Sequence, residues 1–133
     1  MAVVKPFRGL RPPANLAAEI ACLPYDVMNS EEAAVMAKGK EKSLLHITKA
    51  EIDLPEGTDV HSEEVYQKAF ENFNLWQKKG WLAEDKERYF YIYAQTMEGR
   101  TQYGIVGAAA VNDYLSGKIK KHELTRPDKE EDR

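Results

Sequence analysis

The sequence predicts a mixed α+β fold, and three stretches carry that prediction. "SEEVYQKAFENFNLWQKKG" repeats apolar residues at helical spacing and predicts a long amphipathic helix over about 62–79. "RYFYIYAQTMEGRTQYGIVGAAAV" alternates along two runs around a short Gly-containing turn, so an antiparallel hairpin is expected over about 88–111. "KIKKHELTRPDKEEDR" reads as a strand-to-helix elbow at 118–128. With 133 residues the chain reads as a single α+β domain, residues 1–133.

The elements follow in order. "AVVKPF" is a short strand closed by Pro6, and "RGLRPP" is irregular because Gly9 loosens the backbone while Pro12 and Pro13 lack donors. "ANLAAEIACL" predicts a short helix that stops before Pro24. "PYDVMNSEEAAVMAKGK" is a turn and then a helix, with Asn29 as N-cap, Glu32 three residues on, and Gly39 at the C-terminal end. "SLLHIT" is a compact apolar run expected as a buried strand, and "KAEIDLPEGTD" a polar loop. In the long helix, Ser62 is expected to cap the start, and Val65, Ala69, Phe70, Phe73 and Trp76 to form one core-packing stripe. In the hairpin, Tyr89, Tyr91 and Tyr93 alternate with Phe90, Ile92 and Ala94; Gly104 and Gly107 point to a bulge or a close approach. "NDYLSG" is a helical turn and "KIKKHE" is extended.

Composition sets limits on function. Hydrophobic residues make up 43% and charged residues 31%, which is globular usage and argues against global disorder. A net charge of −3 supplies no overall attraction to nucleic acid or anionic membrane, so nucleic acid is not an expected partner of this stretch. The N-terminus lacks the apolar core of a signal peptide and no run is long enough for a membrane span; with one cysteine, Cys22, in an apolar setting, a reducing cytoplasm is expected. Cys22 reads as a buried, inert thiol, and the three histidines lack the spacing of a zinc site.

Two constellations can carry chemistry. From Lys118 to Arg126, four cations (Lys118, Lys120, Lys121 and Arg126) stand against Glu123, a local excess of positive charge on an acidic chain. Thr125 suits an N-cap and Pro127 a first helical turn, and a strand entering a helix N-terminus presents unpaired N–H groups to an anion. There Arg126 would clamp phosphate, Lys121 and Thr125 would assist, and His122 or Glu123 would move a proton or, for Glu123, hold Mg²⁺. The bland reading of the same run is a solvated, salt-bridged tail. At the front, Arg8 and Arg11 sit on the irregular loop and Asp26 on a turn: either anion contacts and a catalytic carboxylate, or surface ion pairs and a turn cap. His46, inside "LLHIT", is either a hydrogen-bonded core residue or a ligand.

The order "VKPFRGLRP", "PYDVMNSEEA", "LLHITKAEIDLPEGTD", "YIYAQTMEGRTQYGIVG" and "IKKHELTRPDKEEDR" resembles the N-terminal part of the bacterial and archaeal family catalogued as domain of unknown function 1015. Members run longer, so the resemblance implies an N-terminal fragment. Leu23 stands where the family has a first proline before Tyr-Asp, and Leu124 where it has a polar residue; His122, Glu123, Thr125 and Arg126 match. More loosely, "HELTR" is similar to the Gly-Glu-Arg-Arg phosphate segment of ParB-like and sulfiredoxin-like folds. That likeness implies a nucleotide such as ATP with Mg²⁺ and a small-molecule kinase that phosphorylates a hydroxyl metabolite such as serine. The catalytic set would be Glu123, Asp26 and His122, and the binding set Arg126, Lys121, Thr125, Arg8 and Arg11. The alternatives are a non-catalytic, ParB-like nucleotide switch and a plain interaction module. Apolar surface left uncovered by a fragment makes a homodimer an expected assembly.

Overall fold

A computed structural model describes residues 1–120, which are mixed α+β and fall into two compact units. Residues 1–10 and 84–120 make unit 1, and residues 11–83 make unit 2. Expected segment 121–128 of the elbow lies outside the described residues.

In unit 1, strand β1 (Val4–Lys5) ends at Pro6 as its sequence requires. The chain leaves the unit through β2 (Leu10–Arg11) and returns through β3 (Ala83–Glu84). The "RGLRPP" stretch is therefore not wholly irregular: between Gly9 and Pro12 two residues stay extended. The hairpin consists of β4 (Tyr91–Met97) and β5 (Arg100–Val106), paired from Tyr91↔Val106 to Met97↔Arg100. Its two-residue loop has φ of 51° at Glu98 and 77° at Gly99. Two successive positive φ angles give the turn whose twist matches paired strands. Register runs unbroken through Tyr93↔Gly104, so Gly104 marks no bulge. Gly107 does mark a close approach, since a Cβ there would lie 2.6 Å from Val4 Cγ1. Strand β6 (Ala108–Ala109) pairs antiparallel with β1, and helix α5 (Val111–Leu115) follows. Lys118 and Ile119 bend rather than extend, because the Lys118 ammonium and the Ile119 N–H both turn back to Asp113.

Unit 2 is helical. Helix α1 (Ala17–Ile20) stops well before Pro24, and a 3-10 turn spans Tyr25–Val27. Helix α2 (Ser30–Ala37) opens on the expected capping box: Asn29 Oδ1 accepts from the Glu32 N–H at 2.8 Å, and Glu32 Oε2 accepts from the Asn29 N–H at 2.9 Å. Gly39, with φ of 73°, follows the last turn. "SLLHIT" is not a strand but helix α3 (Leu45–Thr48), and a second 3-10 turn, Ala50–Asp53, occupies the start of the expected polar loop, whose remainder, 54–59, has no helix or strand. A six-residue stretch with three apolar residues fits either period, and burial of Leu45 with Ala33 and Ala37 selected the helical one.

Helix α4 (Glu63–Lys78) holds the expected limits, but its buried stripe is rotated from the predicted one. Val65, Asn72 and Trp76 are buried and Ala69 is half-buried, whereas Phe70 and Phe73 remain exposed. Ser62 stands at the N-cap position without using its side chain; its hydroxyl is buried with no hydrogen-bond partner among the described residues. Trp76 meets Trp81 edge-on at 5.5 Å, and Lys79 lies over the Trp81 ring at 4.2 Å.

Candidate functional site

The front loop is held by hydrogen bonds that its sequence does not announce. Phe7 and Tyr89 exchange backbone bonds of 3.0 and 2.9 Å, and the Asp85 N–H donates to Gly9 O at 2.9 Å. The Gly9 N–H donates to Tyr91 Oη at 2.5 Å, and the Tyr91 hydroxyl donates to Asp85 Oδ2 at 2.7 Å. A Cβ on Gly9 would sit 2.6 Å from Tyr91 Oη, so only glycine permits this anchor. Arg8, between the two anchors, is exposed and has no ion-pair partner among the described residues. A guanidinium on a fixed backbone is a ready anion ligand.

The other predicted residues are distributed differently. Arg11 is the exposed end of β2 and Asp26 the exposed middle of the Tyr25–Val27 turn, both in unit 2, whereas Arg8 belongs to unit 1. Within its own unit neither Arg8 nor Asp26 is joined to another predicted site residue by a hydrogen bond or ion pair. Lys121, His122, Glu123, Thr125 and Arg126 lie outside the described residues. Cys22 is half-buried, and burial pushes its thiol up from the ordinary range against a smaller opposing effect of the Thr48 hydrogen bond. A raised thiol is a poor nucleophile, consistent with the inert reading.

Three polar centres stand apart from the predicted site; one of them contains His46, for which a hydrogen-bonded role is one of the two expectations. In unit 1, buried Asp113 accepts from Lys118 Nζ at 2.9 Å and from the Val3 N–H at 2.9 Å. Lys118 first, then the Val3 N–H, holds its carboxyl below the usual range. In unit 2, His46 Nδ1 lies 2.8 Å from Asp53 Oδ1 and Nε2 lies 3.2 Å from Lys40 O. Asn72 Nδ2 donates to His46 O at 2.6 Å and to Asp53 Oδ2 at 2.9 Å. Both ring nitrogens of His46 are engaged by these oxygens, and through Asp53 and Asn72 this histidine braces α3 against α4.

The third centre is a buried ion pair. Lys49 Nζ lies 3.2 Å from Glu51 Oε1, with the two side chains only 6% and 5% exposed. Ser30, the first residue of α2, donates its hydroxyl to the same oxygen at 2.8 Å. The signal available in sequence was "TKAEID", two opposite charges just after an apolar run, but such charges ordinarily face water.

With this geometry in view, one comparison decides the relationship. The family model described as "Protein of unknown function (DUF1015)" matches residues 4–133. The chain belongs to that family. No curated protein and no solved structure matches this DUF1015 chain. The family description carries no activity, and the comparisons do not show the expected ParB-like likeness of "HELTR". Among the described residues no helix of the DUF1015 chain is long and apolar enough to cross a membrane.

Proposed function

We propose that this DUF1015 chain binds a phosphate-bearing ligand, a nucleotide with Mg²⁺, and transfers phosphate to a small hydroxyl-bearing metabolite. The observation that carries the reading is Arg8: an exposed guanidinium without an ion-pair partner among the described residues, on a loop locked by Gly9, Tyr91 and Asp85. A surface arginine serving only solubility needs no such anchor. The sequence of residues 121–126 supports it, since Lys121, Thr125 and Arg126 are the residue types that hold phosphate at a helix start.

Phosphoryl transfer needs chiefly positioning and charge neutralisation. In the proposed step the acceptor hydroxyl oxygen forms a bond to the terminal phosphorus as the bridging O–P bond breaks. The displaced nucleoside diphosphate keeps the bridging oxygen. The hydroxyl proton passes to a carboxylate, for which Glu123 is the candidate.

Calorimetric titration with Mg-ATP, Mg-CTP and ADP tests the binding. Micromolar binding is expected, weakened roughly 10-fold or more in Arg8→Ala and in Arg126→Ala, as for loss of a charge-assisted contact. Absence of binding by the folded protein contradicts the proposal. Binding without a phosphorylated product on incubation with hydroxyl metabolites would leave a nucleotide switch in place of the kinase.

A further inference from the structure

One face of the unit 1 hairpin carries no charge. Cross-strand partners share a face, so Ile92 and Ile105, Ala94 and Tyr103, and Thr96 and Thr101 lie together on it. The same face continues to Phe90 and Gly107, where the missing Cβ leaves room for the Phe90 ring and the Val4 side chain. Val4 and Phe90 are half exposed, and Ile92, Tyr103 and Ile105 are three-quarters exposed or more. These five side chains leave on the order of 600 Å² of apolar surface in water, the upper limit of what a chain that stays single ordinarily shows. The opposite face differs: Tyr91 packs into the Gly9 anchor, Gln95 sits beside Gln102, and Met97 beside Arg100.

We infer that the uncharged face is the contact between two copies of this chain. Its occupant must be apolar and free of charge over a similar area, and the face itself meets that description. Consider two copies related by a two-fold axis lying along the strands, between β4 and β5. Ile92 then meets Ile105 of the second copy and Tyr103 meets Ala94, apolar against apolar and large against small. Two such faces cover about 1,200 Å² in all, the lower end of what a specific, stable interface buries. That area fits a dimer that forms and separates with concentration. The residues after 120 bring one large aliphatic side chain, Leu124, too little to cover the face. The contact uses none of the residues proposed to hold phosphate, so it stands or falls independently of that reading.

Sedimentation velocity of the full chain tests the contact, in reducing buffer so that Cys22 cannot link two copies. A mass rising from one copy toward two between about 1 and 500 μM is expected, with a Kd below about 200 μM. Ile105→Lys places an ammonium in the contact and should weaken association about 10-fold or more. Ile105 is exposed in the single chain, so the variant should keep its fold, which far-UV circular dichroism checks. Tyr103→Glu is the second variant, with the same expected effect. Gln102→Lys adds the same charge to the opposite face of the same strand and should leave association unchanged. A single copy at every concentration, association that survives both substitutions in a folded chain, or equal weakening by Gln102→Lys would each overturn the inference.

Discussion

The two units bury different things. All eight buried apolar residues among those described, from Ile20 through Leu82, lie in unit 2. Unit 1 has none: its buried positions are Gly9 and Asp113, and its hairpin exposes Ile92, Tyr103 and Ile105 at 77%, 75% and 81%. Unit 2 is thus ordered by excluding apolar surface from water, with the Lys49–Glu51 and His46–Asp53–Asn72 contacts set among that packing. Unit 1 is ordered by a strand ladder and by two polar anchors, Asp113 and the Tyr91–Asp85–Gly9 chain. The lesson is that a loop can be fixed without a hydrophobic core beneath it, provided hydrogen bonds and a glycine fix the backbone.

Substitutions can break this contrast. The largest effect is expected in the core of unit 2: Trp76, 3% exposed, should cost about 3–5 kcal/mol on truncation to Ala, measured by urea denaturation followed by circular dichroism. Next comes Asn72→Ala, which leaves His46 O and Asp53 Oδ2 without their donor and should cost about 1–3 kcal/mol in the same assay.

In unit 1 the informative change is Asp113→Asn, a smaller effect read through pH. Lys118 and the Val3 N–H favour the folded carboxylate, so the folded group stays ionised to lower pH than the unfolded one. Between those two points the unfolded chain binds more protons, and stability rises with pH. The contribution is therefore complete above the ordinary carboxylate range, about pH 4, and fades as pH falls through it and below. Melting temperatures across acid pH should show this slope in the wild type and a shallower one in Asp113→Asn. The smallest effect belongs to the exposed hairpin face, where Ile105→Thr should change stability by less than about 0.5 kcal/mol.

Sequence reading reached the parts governed by local rules. Asn29 and Glu32 satisfy each other three residues apart, and Glu98-Gly99 dictates its own turn, so both were legible. The limits of α4 were legible from its charges and Gly80, but not which way it faces. Phe70 and Phe73 are more apolar than Asn72, yet Asn72 is buried because His46 O and Asp53 supply acceptors from elsewhere in the chain. Helix α3 was misread because a six-residue stretch with three apolar residues, Leu44, Leu45 and Ile47, fits two periods, and the 3-10 turn after it because Lys49 and Glu51 look solvated until each is seen to have the other. Of the candidate site, Arg8 was legible as a residue type on an irregular loop. Its anchoring was not, since Tyr91 and Asp85 are more than seventy positions away in sequence.

Native-state hydrogen exchange, residue by residue, tests the contrast most directly. Hydrogen-bonded amides of Leu45–Thr48 and Glu63–Lys78 should open with higher free energies than the hydrogen-bonded amides of Tyr91–Met97 and Arg100–Val106. The Gly9 N–H, bonded to Tyr91, should be protected above the hairpin amides near Glu98 and Gly99. A hairpin protected as well as α4, or a Gly9 amide that exchanges as freely as the turn, would contradict the account.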